Sequence, residues 1–174
     1  MSEDGTALPP SAAAATGAVA TPAPATSPRQ FAVLLPAAIR DAIVAHARAE
    51  DPNEACGLII GDRPAAEGGR ALRWAPARNR AASPFRYEID PDDLLRLTIE
   101  TDDAEEAFWG IVHSHTHSPA VPSPTDLRLA FYPEALYVLV SLDAAEADRA
   151  TGAESVRAWR IVDGVADEVV VQPA

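Results

Sequence analysis

AFWGIVHSHTHSPAVPSPTD, residues 107–126, starts as an apolar run and finishes among polar groups. The first nine residues carry the aromatic and β-branched content of a strand. That strand leads straight into His113, His115 and His117, three of the chain's four histidines. A proline-rich loop follows, and SPTDLRLAFY then starts a short helix. A strand rises about 3.3 Å per residue and alternates faces, so Ile111, His113 and His115 point the same way. Two imidazoles at the end of a strand can converge on one ion. The same spacing separates His115 from His117, in a stretch whose direction is less well fixed because it nears Ser118-Pro119.

The flanking sequence alternates strands and helices. FAVLL (31–35) is a short apolar strand, and Pro36 suits the first turn of the helix behind it. Ile39, Ile43 and Ala47 recur every four positions up to about Glu50, drawing one buried stripe. Asp51-Pro52-Asn53 ends that helix. EACGLIIG (54–61) reads as a buried strand, and DRPAAEGG as the turn after it. ALRWAPA (71–77) and FRYEI (85–89) alternate as half-buried strands do. Asp90-Pro91 opens a second helix, with Asp92 and Asp93 at its positive end and Leu94, Leu95 and Ile99 as its expected buried face. LYVLVSL, VRAWRIVDG and VADEVVVQ supply the last strands, the final two joined at an Asp163-Gly164 hairpin turn. The expected class is α/β (α+β), a mixed β-sheet flanked by helices.

Composition narrows the partners. The 174 residues, 48% of them hydrophobic, suffice for one domain that folds unaided. Residues 1–29, rich in Ala, Pro, Thr and Ser without a basic segment ahead of an apolar core, read as a disordered tail before a domain spanning 30–174. No apolar run approaches the roughly 20 residues a spanning helix needs, so no membrane partner is expected. The net charge of −12 repels phosphate backbones and argues against nucleic acid. A single cysteine, Cys56, excludes an internal disulfide, and the default compartment is cytoplasmic.

Zinc accepts imidazole nitrogen and carboxylate oxygen, and catalytic sites use three protein ligands with a fourth position for water. Asp126, one helical turn past Ser123, is the natural third ligand beside the histidines. Ser123-Pro124-Thr125-Asp126 is equally a capping box, which needs no metal. Alternate histidines just upstream favour the metal. Such a site needs a base, and Glu54 stands at the head of an otherwise apolar strand, where burying a carboxylate is costly. The alternative is that Glu54 sits at the strand's solvent-exposed mouth. Cys56 reads as a small core residue rather than a nucleophile.

Glu54 followed by His113, His115, Ser123 and Asp126, as H-x-H-x₇-S-x-x-D, resembles the JAMM signature of the MPN-domain metalloproteases. The resemblance covers about residues 30–172 and favours the His113 and His115 register. It implies the MPN/JAMM (cytidine-deaminase-like) fold, with Zn²⁺ held by His113, His115 and Asp126, Glu54 as the base and Ser123 as an oxyanion donor. DPNEACGLIIG, HSHTHSPAVPSPTDLRLA, YVLVS and RIVDG look most like bacterial members that remove cysteine from the C-terminal tail of a ubiquitin-like sulfur-carrier protein in cysteine biosynthesis. His117 departs from the expected pattern. Another isopeptidase of the family, acting on a different small modifier, is the alternative. A non-catalytic scaffold domain is disfavoured, since all five motif residues are present.

Overall fold

The computed structural model describes residues 32–147 and 154–173. The tail expected over residues 1–29 lies outside the described residues. Among the described residues seven strands form one mixed sheet: β1 (Ala32–Leu35), β2 (Cys56–Gly61), β3 (Ala71–Ala77), β4 (Ala107–His115), β5 (Leu136–Ser141), β6 (Ser155–Val162) and β7 (Val165–Pro173). Their spatial order is β1-β7-β6-β5-β4-β2-β3. Only β1 with β7 and β4 with β5 run parallel. The β6–β7 hairpin turns at Asp163 and Gly164, both at positive φ, as its Asp-Gly pair requires.

Helix α1 (Ala37–Glu50) packs Ile39, Ile43, Val44 and Ala47 onto one face of the sheet, against Ile59, Val112, Val138 and Val140. Helices α2 (Pro91–Asp103) and α3 (Pro124–Arg128) belong to the other face, where Leu58, Ile60, Ile111 and Leu139 form a second core with Leu97 of α2. Asp90 caps α2 by accepting from the N–H groups of Asp92 and Asp93. Among the described residues no helix is long and apolar enough to cross a membrane.

Two expectations need correction. In α2, Leu95 and Ile99 are exposed and Leu94 is half-buried, while Leu97 and Thr101 are buried. The helix carries two candidate stripes, 94/97/101 and 95/99, about 150° apart around its axis, and periodicity alone cannot choose between them. Thr101 tolerates burial because its hydroxyl donates to the Leu97 carbonyl at 2.6 Å. Residues 85–89 are not a strand: the loop from β3 to α2 has only two isolated bridges, Asn79 with Ile89 and Ser83 with Arg86. The Asn79 side chain takes up three of the loop's backbone groups, the Arg86 carbonyl and the Ala81 and Glu88 N–H groups.

Candidate active site

Alternation along β4 sends Val112 toward α1 and Ile111 toward the opposite core. His113 and His115 follow Ile111, at 1% and 6% exposure. Their Nε2 atoms lie 3.1 Å apart. The loop after β4 is pinned back on the sheet by three carbonyls: Ser118 accepts from Ser141 Oγ, Pro119 from His115 Nδ1 and Ala120 from Trp159 Nε1. This fold-back brings the first turn of α3 over the end of β4.

At that turn the capping box forms in full. Ser123 Oγ accepts from the Asp126 N–H, and Asp126 Oδ2 accepts from the Ser123 N–H at 2.6 Å. The same carboxylate lies 3.5 Å from His113 Nε2 and 3.7 Å from His115 Nε2. Cap and convergence therefore coexist. Burial works against the Asp126 charge, yet hydrogen bonds with His113 and His115 hold its pKa well below the usual carboxylate range. Burial likewise lowers the pKa of His113. For His115 burial pulls down, but Asp126, the Pro119 carbonyl and Glu54 together raise it.

One ligand atom from each of His113, His115 and Asp126 falls within 4.8 Å of the other two. Tetrahedral coordination at zinc distances places neighbouring donors about 3.3–3.4 Å apart, close to the observed 3.1, 3.5 and 3.7 Å. The His115 Nδ1–H donates to Pro119, which leaves the Nε2 lone pair facing the other two groups. Two imidazoles and an ionised carboxylate are a donor set that suits zinc. His117, exposed on the rim with Nδ1 2.7 Å from Thr116 Oγ1, stands outside the cluster.

Glu54 precedes β2, whose antiparallel register pairs Cys56 with His113. Continuing that register sets Glu54 opposite His115, on the same face. Ser114 locks it, since its Oγ accepts from the Ala55 N–H at 2.8 Å and its N–H donates to the Ala55 carbonyl. Glu54 is only 6% exposed, so it is not at a solvated mouth. Burial raises its pKa to about 7, against the attraction of His115 and with help from the Asp126 charge. Cys56 is fully buried, its thiol donates toward the Ala77 carbonyl, and burial pushes its pKa up to about 12. That thiol is inert at neutral pH.

Glu54, His115, Ser123 and Asp126 line a cleft of ≈ 760 Å³, with Leu58 and Ile111 also in its wall. Phe85, Leu129 and Phe131, all more than half exposed, belong to the same cleft. Sequence reasoning missed Ser114 and the Pro119 carbonyl, because each acts through a bond between side chain and backbone that only the folded chain reveals.

Residues 36–162 match the family of prokaryotic homologs of the JAB domain. The chain is 39% identical over 139 residues to the CysO-cysteine peptidase of Mycobacterium tuberculosis, spanning 79% of this chain and 88% of that protein. It is 36% identical over 115 residues to the desampylase of Haloferax volcanii, covering 63% and 80% of the two chains. Among solved structures, protein DSY2949 from Desulfitobacterium hafniense superposes with a TM-score of 0.69 at 31% identity, covering 82% of this chain and 92% of that one. Motif, topology and overall likeness agree, and the chain belongs to the prokaryotic JAB-domain family.

Proposed function

We propose that this protein is a zinc-dependent peptidase of the cytoplasm that hydrolyses the bond after the C-terminal Gly-Gly of a ubiquitin-like sulfur-carrier protein and releases cysteine. The observation that carries the reading is a buried carboxylate of raised pKa, Glu54, standing across the strand from a two-histidine, one-aspartate cluster. Similarity to a CysO-cysteine peptidase over most of both chains supports the choice of substrate.

His113, His115 and Asp126 would hold the zinc. When bound, the metal would supply Lewis acidity, lowering the pKa of the attacking water to about 7 and polarising the scissile carbonyl. Glu54 accepts the water proton. The water oxygen bonds to the carbonyl carbon, and the carbonyl oxygen gains negative charge. Ser123 Oγ already accepts from Asp126, so its own proton is free to donate to that oxygen. Donors of this kind contribute about 2.7–4 kcal/mol to the transition state. Glu54 then passes its proton to the departing amine, the C–N bond breaks, and the products are free cysteine and a carrier ending in a Gly-Gly carboxylate.

The decisive test incubates zinc-loaded protein with a carrier bearing one cysteine after its C-terminal Gly-Gly, read by intact mass. Loss of one cysteine residue is expected; an unchanged mass overturns the reading. Likeness to a desampylase favours a second reading, cleavage of another small modifier from its conjugates. Turnover of such conjugates with the cysteine-tailed carrier left intact would select it. For the ligand set, His113→Ala, His115→Ala and Asp126→Ala are each expected to lose zinc, while His117→Ala retains full stoichiometry by elemental analysis.

A further inference from the structure

The chemistry above leaves one segment without a role, the irregular loop of residues 78–90 between β3 and α2. Asn79 organises it. A primary amide has two N–H donors and two acceptor positions, and Asn79 uses all of them. Its Nδ2 donates to the carbonyls of Glu54 at 2.8 Å and Arg86 at 3.2 Å, and its Oδ1 accepts from the N–H groups of Ala81 and Glu88, both at 3.0 Å. The Glu54 N–H donates to the Ser83 carbonyl at 2.9 Å. Both backbone groups of Glu54 are thus held by this loop and not by a neighbouring strand. Thr116 Oγ1 fastens the loop to the histidine segment through the Pro84 carbonyl at 3.1 Å.

Further along, the Tyr87 ring lies on the His113 ring, with centroids 4.3 Å apart and planes 18° from parallel. His113 Nδ1 is buried and has no hydrogen-bond partner among the described residues. An imidazole that ligates a metal ordinarily has its plane set by an acceptor at its second nitrogen, as His115 has from Pro119. For His113 that constraint comes from an aromatic face.

We propose that the 78–90 loop is the positioning element of the site, with Asn79 fixing the chain that aims Glu54 and Tyr87 fixing the ring plane of His113. The proposal rests on Glu54 as base and His113 as ligand. Neither Asn79 nor Tyr87 is assigned contact with the reacting atoms; each acts through its neighbour.

The test measures zinc affinity, by competition with a chromophoric chelator, and kcat and KM on the cysteine-tailed carrier, using the full chain. Tyr87→Leu and Tyr87→Met, which fill the space without a planar ring, are expected to weaken zinc binding about 10–100-fold. Tyr87→Phe, which keeps the ring, binds as the unmutated protein does. Asn79→Asp keeps the two acceptor bonds and loses both donors; it is expected to lower kcat about 100-fold while KM and zinc affinity stay within about threefold. Unweakened zinc binding in the Leu or Met variant overturns the role of Tyr87, and unchanged kcat in Asn79→Asp overturns that of Asn79. An unmutated protein that takes no zinc, or leaves the carrier intact, would count against the function itself and not against the loop.

Discussion

The two faces of the sheet are built from the same strands and are put to different uses. On the α1 side, Ile39, Ile43, Val44 and Ala47 close over Ile59, Val112, Val138 and Val140. Each such side chain contributes roughly 1.5–3 kcal/mol by leaving water. On the other side α2 covers only part of the sheet, and a cleft of ≈ 760 Å³ stays open, holding the site's carboxylates and His115. Burial there opposes the charged forms of Glu54 and His113, which costs folding energy. One face therefore supplies stability and the other spends it on chemistry, and alternation along β4 serves both at once.

The largest expected effect breaks the functional face alone. Glu54→Gln is expected to lower turnover about 10²–10⁴-fold, the range that a positioned base contributes. Because burial opposes the Glu54 charge, a neutral isostere leaves chemical denaturation unchanged or moves it to higher denaturant. Zinc binding persists. A variant that keeps the unmutated rate would show that the base is another group.

The reciprocal change is Ile43→Ala in α1, where Ile43 is 2% exposed. It is expected to cost about 2–5 kcal/mol in urea denaturation, with kcat per folded molecule unchanged. A fall in kcat comparable to that of the glutamine variant would mean that the two faces are not separable.

Ser114 is where they meet. It lies among the groups on the α1 side, near His46, Ala47 and Val140, while its neighbour His115 lines the cleft. Ser114→Ala leaves the buried Ala55 N–H without its hydroxyl acceptor, at an expected cost of about 1–3 kcal/mol. It also frees the register between Glu54 and His115, so kcat falls in the folded protein as well. Stability lost without any change in kcat would reduce Ser114 to a core hydrogen bond.

Much of this arrangement can be read in the chain, for a physical reason. A metal centre needs particular residue types at fixed offsets, so His113, His115, Ser123 and Asp126 stand out, and Glu54 is conspicuous as a carboxylate at the head of an apolar strand. The strands are legible too, because burial on both sides of the sheet demands continuous runs such as Leu136–Ser141. What escaped depends on partners distant in sequence. Phe85, Tyr87 and Ile89 alternate as a strand would, yet the Arg86 carbonyl and the Glu88 N–H bond to the Asn79 amide, so the backbone pairing with residues 78–80 stops at one isolated bridge. Leu95 and Ile99 share a helix face that fits burial equally well, and only the placement of Leu97 against the sheet turns them outward.

The smallest effect sharpens the comparison by separating location from role. Arg157 on β6 donates to both oxygens of Glu168 on β7, at 2.7 and 2.8 Å, and its guanidinium sits 4.7 Å over the Trp159 ring. Trp159 in turn holds the Ala120 carbonyl of the loop that carries the site, so the pair lies only two steps from the chemistry. Both side chains remain substantially exposed, at 30% and 47%. Arg157→Met is therefore expected to cost at most about 1 kcal/mol, less at high salt, and to leave kcat untouched. The hydrogen bonds from Arg157 lower the Glu168 pKa in the folded state. That stabilisation is present in full above the ordinary carboxylate pKa and is lost as pH falls through the depressed one. Denaturation midpoints of the two proteins should differ by a constant amount at neutral pH and converge in acid. A difference that persists in acid would assign the effect to arginine stacking on Trp159, and a changed kcat would extend the functional face to the β6–β7 pair.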